Sequence, residues 1–152
     1  MTRYKEFQTF NLLLAFLIPT QILLGILFFV QSGTRPIDLN GFVIQNVIIG
    51  LSYLFFYGMT NSITDEKITI QFGIGIIWRN IELTNIASVV TVRNPWYYGW
   101  GIRLIPNGML YNIGGFEAVE LKLKSSGRVV RIGTKNPARL RDEIIKRLAP
   151  QT

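Results

Sequence analysis

Phe10–Val30 reads FNLLLAFLIPTQILLGILFFV, 21 residues without a charge. As an α-helix this stretch is about 30 Å long, enough to cross a hydrocarbon core. Phe42–Met59, FVIQNVIIGLSYLFFYGM, is a second uncharged run of 18 residues, at the short end of the spanning range. Between them, Gln31 to Gly41 is rich in turn formers, and two spans joined by so short a loop predict an antiparallel hairpin in a bilayer. The wider charge map agrees. Phe7 to Thr34 and Leu39 to Thr64 carry no charge, and only Arg35 and Asp38 lie between these blocks. A cleavable signal peptide fits poorly: the apolar region is too long, no small-x-small site follows Val30, and a second span comes almost at once.

Lys/Arg bias sets orientation. The N-terminal flank has Arg3 and Lys5, the loop has only Arg35, and 13 basic residues follow the second span. The expectation is a multi-pass protein of the cell (inner) membrane, with both termini cytoplasmic and the Arg35 loop outside. Within the first span, Pro19-Thr20-Gln21 lies near mid-membrane, where proline frees a carbonyl and predicts a kink. Gln21 reads as interhelical glue rather than as part of a transport path. Gln45 and Asn46 are placed near the outer interface, away from the depth of Gln21.

The 152 residues leave room for one compact domain beside this anchor. The expected division is 1–61 for the flank and hairpin, 62–149 for a cytoplasmic domain, and 150–152 for a tail. No cysteine is present, which excludes disulfides and thiolate chemistry. No histidine is present either, which removes the commonest general base and metal ligand. The reading is of a protein that is not an enzyme and takes no cofactor or metal. A net charge of +7 points to anionic neighbours, lipid headgroups first.

After Ser62 the pattern becomes short β-branched runs punctuated by turn residues. Strands are predicted at Lys67–Phe72, Ile76–Glu82, Ile86–Arg93, Gly101–Ile105, Met109–Ile113, Ala118–Lys124 and Arg128–Gly133. Asn136-Pro137 then offers an N-cap and a first-turn proline, and Leu140, Ile144 and Leu148, with Ile145 beside them, make one amphipathic helix. A two-residue turn at Asn107-Gly108 places Leu104 opposite Tyr111 and Ile102 opposite Ile113. A turn at Ser126-Gly127 places Leu123 opposite Val130 and Leu121 opposite Ile132. On the other face it sets Lys122 across from Arg131, a like-charge pair that an anion would relieve. Lys122, Lys124, Arg128 and Arg131 are therefore candidate contacts for anionic phospholipids, against the simpler reading of a solvated strand face.

The run Pro95-Trp96-Tyr97-Tyr98-Gly99-Trp100-Gly101-Ile102-Arg103, then Leu110-Tyr111-Asn112, Ala118-Val119-Glu120-Leu121 and Arg131-Ile132-Gly133-Thr134 with Pro137, resembles the bacterial PH-like (pleckstrin-homology-like) domains of small membrane proteins. The resemblance covers roughly Ser62 to Leu148. It implies a mainly β, α+β fold of seven strands in two sheets, with a C-terminal helix closing one corner. It implies no catalytic residue, and a shared fold does not fix a shared function.

Trp96, Tyr97, Tyr98 and Trp100 crowd one predicted loop. Such rings favour the membrane–water interface or, with Arg93 or Arg103 nearby, anchor protein partners. The plainer expectation is that at least one tryptophan fills the core. Gly73-Ile74-Gly75 and Gly99-Trp100-Gly101 lack the third glycine and the following helix of a nucleotide cradle, and the first reads as a strand turn. Asp65-Glu66 and Asp142-Glu143 have no catalytic setting. No groove-reading helix or aromatic RNA-binding motif appears, so nucleic acid is not an expected partner. Two functions remain: a membrane-anchored module that binds a protein partner or itself, and a module that binds anionic headgroups.

Overall fold

The computed structural model describes residues 4–31 and 37–148. The loop around Arg35, the flanking Arg3 and the 150–152 tail lie outside the described residues. Two helices, α1 (Asn11–Val30) and α2 (Leu39–Phe56), form a hairpin. Both are long and apolar enough to cross a membrane, and neither has a buried residue within the chain. The second helix begins and ends three residues earlier than Phe42–Met59. Asp38 caps it by accepting from the Gly41 amide at 3.0 Å, which satisfies a first-turn donor. Met59 belongs instead to a strand and is fully buried.

Nine strands, not seven, are present among the described residues. The first sheet has the order β1 (Tyr4–Thr9), β2 (Gly58–Ile63), β3 (Lys67–Phe72), β4 (Ile77–Glu82), all antiparallel. Its first strand precedes α1 in the chain, and a division at 61/62 falls inside β2. The second sheet has the order β5-β8-β9-β7-β6, from β5 (Ile86–Arg93), β6 (Gly101–Ile105), β7 (Gly108–Asn112), β8 (Glu117–Leu123) and β9 (Val129–Gly133). Its β7–β9 pair is parallel. Helix α3 (Pro137–Leu148) closes the core with Leu140 and Ile144. As the sequence predicts, Asn136 caps it, accepting from the Arg139 amide at 3.1 Å.

Both predicted hairpin registers are displaced. Ile105 pairs with Gly108, so the turn is Pro106-Asn107, and Leu104 faces Met109 while Ile102 faces Tyr111. Proline fixes the first turn residue, and Asn107 takes the positive φ of 64° that the second requires. Gly108 is needed for another reason: a side chain there would run into the Val129 backbone on β9. In the other hairpin, four residues (124–127) make the turn, closed by Leu123 N–H to Arg128 O. Leu121 therefore faces Val130, and Arg131 faces Glu120 rather than Lys122. The core faces survive because each shift moves the pairing by two residues, which keeps every side chain on its own face.

The strand ladder runs without a break into the helices. Thr9 pairs with Gly58, and the next amide, Phe10 N–H, donates to Tyr57 O at 2.9 Å. The helical hairpin is thus a long insertion at the tip of the β1–β2 hairpin.

Candidate functional site

Between the helices, Gln21 Nε2 donates to Asn46 Oδ1 at 2.5 Å, and Gln45 Nε2 lies 3.5 Å from Gln21 Oε1. These amides share one depth, contrary to the sequence-based placement. The strand register explains it: Thr9 and Gly58 are level, and Gln21 and Asn46 are each twelve residues beyond them. The earlier placement followed from starting the second helix at Phe42. Thr20 Oγ1 bonds the Phe16 carbonyl within its own helix.

At the base of the hairpin, polar side chains tie β1 and β2 to the end of β9. Gln8 and Asn61, both buried, each donate to Gly133 O at 3.0 Å. Glu6 accepts from Thr134 Oγ1 at 2.7 Å, from the Lys135 amide at 3.0 Å and from the Tyr4 hydroxyl at 3.2 Å. Burial of Tyr4, with the Glu6 charge second, pushes its phenol up to about 12.

The aromatic loop folds over the outer face of the second sheet. Trp96–Tyr98 form a 3-10 turn after Pro95. Arg131 holds it from below: its Nε bonds Glu120 Oε2 at 2.7 Å, its Nη1 bonds Asn94 Oδ1 at 3.1 Å, and its guanidinium lies 5.7 Å from the Tyr98 ring centroid. Arg103 Nε fixes the far side of the loop through Trp100 O at 2.9 Å. Trp100 packs near Phe116, ring centroids 6.1 Å apart, and shares a crevice with Leu12 and Lys135 at the start of α1. Trp96 and Tyr97 remain 77% and 67% exposed. No tryptophan fills the core, since Trp78 is also exposed and Trp100 is half-buried.

The four basic candidates do not act together. Arg131 is committed to Glu120 and the loop. Lys124 Nζ donates to Thr84 O at 2.9 Å, beside the β2–β3 turn, which is the end of the first sheet opposite the helices. Lys122 and Arg128 are exposed. Gly133 is level with Gln8 near the helix base, so Arg128, five residues back along the chain, stands about 17 Å farther out. The sequence missed Lys135 and Phe116 as residues of the helix-proximal end. It also missed Ile74, Ile76 and Trp78 as an exposed group, because Gly73-Ile74-Gly75 read only as a strand turn and Ile76 and Trp78 only as strand residues.

The chain matches no family model, no curated protein and no solved structure.

Proposed function

We propose that this chain is a membrane-anchored interaction module: its two apolar helices cross the cell membrane, and its PH-like β domain binds a protein partner or a second copy of itself at the cytoplasmic face. The observation that carries the reading is the rigid display of Trp96 and Tyr97. An exposed Trp–Tyr pair on a loop braced by Arg131 and Arg103 loses little conformational freedom when a partner covers it, which is the property of an interface anchor. The unbroken ladder from β1 and β2 into α1 and α2 adds a constraint. With no linker, the domain meets partners at a set height and orientation above the bilayer. The Lys/Arg excess on both flanks supports the cytoplasmic side.

The alternative, in which Lys122, Lys124, Arg128 and Arg131 grip anionic headgroups of the same membrane, has less support. Arg131 is already paired, and the other three lie toward the end of the domain away from the helices.

Photo-crosslinking tests the proposal. A photo-reactive phenylalanine in place of Tyr97, in intact cell membranes, is expected to give one discrete protein adduct or a covalent homodimer. That product should disappear when Trp96→Ala is added. Adducts with lipid alone would move the loop from partner binding to the bilayer surface.

A further inference from the structure

The β3–β4 turn is placed by the end of α2. Gly73 N–H donates to Gly58 O at 2.8 Å and Ile74 N–H to Leu54 O at 3.3 Å, so Ile74 sits level with the last turn of that helix. Gly73 has φ +51°, and any side chain there would run into the Leu54 and Phe55 carbonyls. The turn is therefore pressed against the helix end and cannot swing away. Its side chains point outward: Ile74 is 50% exposed and Ile76 62%. Trp78, next along β4, is 59% exposed on the outer face of the first sheet. Phe7, Thr60, Gln71 and Trp78 form one cross-strand row on that face, with an exposed aromatic ring at each end. Just below, the rings of Tyr53 in α2 and Tyr57 at its C-cap lie tilted against each other and Phe7 joins them, ring centroids 5.7 and 6.1 Å apart. Tyrosine and tryptophan gathered in a band where an apolar helix ends are the signature of a membrane–water boundary.

We infer that the β3–β4 turn is a second membrane-contacting element, with Ile74 and Ile76 entering the edge of the acyl layer and Trp78 lying among the headgroups of the bilayer that α2 crosses. The inference rests on the reading that the helices span a membrane. Its occupant is lipid because the apolar surface of the turn continues that of α2. Two isoleucines in water beside such a helix would forgo burial that costs nothing to obtain. On the α1 side, half-buried Trp100 lines a crevice with Leu12.

The test uses the full chain with Trp96→Phe and Trp100→Phe, so that Trp78 is the sole tryptophan, reconstituted in phosphatidylcholine vesicles and separated by flotation. In vesicles brominated near the headgroup end of the acyl chain, Trp78 is expected to lose most of its emission while staying weakly sensitive to aqueous acrylamide. Strong acrylamide quenching without bromolipid quenching, in vesicles that float with the protein, overturns the inference and leaves the anchor reading intact. Shielding from both quenchers also overturns it, because a protein surface then covers the turn. Failure to float with the vesicles overturns the anchor reading and this inference together. If the double variant does not fold, Trp78→Phe in the otherwise native chain is expected to reduce the bromolipid-quenched share of the emission, and an unchanged share overturns the inference.

Discussion

Tyr4 couples the start of the chain to pH. Its ring is in the core and its hydroxyl donates to Glu6, so burial first and then the carboxylate disfavour the phenolate, raising the pKa from 10.0 to about 12. Unfolding restores the ordinary value. Between those two pH values the unfolded chain has released a proton that the folded chain keeps, so stability falls as pH rises through that window. Below pH 10 this group adds no pH dependence. Melting temperature measured against pH should therefore decline more steeply above pH 10 in the native chain than in Tyr4→Phe, and equal slopes would remove Tyr4 from the account. The sequence shows none of this. Tyr4, Glu6 and Gln8 face inward on β1, and a strand whose buried side is mostly polar has no apolar alternation to detect. Its place is revealed by pairing with β2 across the whole helical hairpin and by contacts with Gly133, Thr134 and Lys135, more than 120 positions away.

At the scale of elements, the helical hairpin is joined at mid-length by Gln21 and Asn46. Interhelical amide pairs in apolar surroundings contribute about 0.6–2 kcal/mol. A double-mutant cycle with Gln21→Leu and Asn46→Leu, followed by equilibrium unfolding in mild detergent, should give a coupling energy in that range. Purely additive losses would mean that the pair does not hold the helices together. Charge segregation made both apolar helices legible, and the Asn136-Pro137 start with its four-residue apolar spacing did the same for α3, since those signals are local. The seven strands from Lys67 onward were legible to within a residue for the same reason, whereas β1 and β2, which flank the apolar runs, were not read as strands. Pairings were not. Pro106-Asn107 and Asn107-Gly108 both form plausible turns, and the choice was made by Val129, which needs a glycine opposite it. Likewise the parallel β7–β9 pair joins strands that no hairpin rule connects. The aromatic loop was readable from composition alone, whereas its brace, Arg131, was misread as one of a repelling pair because the turn after Leu123 is two residues longer than the Ser126-Gly127 signal suggests.

The whole molecule is a β domain with the helical hairpin inserted between its first two strands, and this decides which fragments fold. Starting the chain at Ser62 removes β1 and most of β2. Tyr4 and Met59 are then missing from the core, and the edge of β3 loses its hydrogen-bonding partner. Such a fragment should be aggregated or unfolded. The antiparallel register offers a better cut. Thr9 and Gly58 are directly opposed, which is the geometry at which a two-residue turn closes a hairpin. Replacing Phe10 to Tyr57 with Asn-Gly should therefore give a water-soluble domain with native strand content, read by dispersed amide NMR signals and a cooperative thermal transition. Exposed Ile74, Ile76 and Trp78 would leave it prone to self-association, so Ile74→Ser and Ile76→Ser should raise its solubility without lowering its unfolding free energy by more than about 0.5 kcal/mol. If instead the excised chain failed to fold while the full chain in detergent remained folded, the contacts that Phe10 and Phe56 make with the core would be indispensable, and the domain would be inseparable from its helical hairpin.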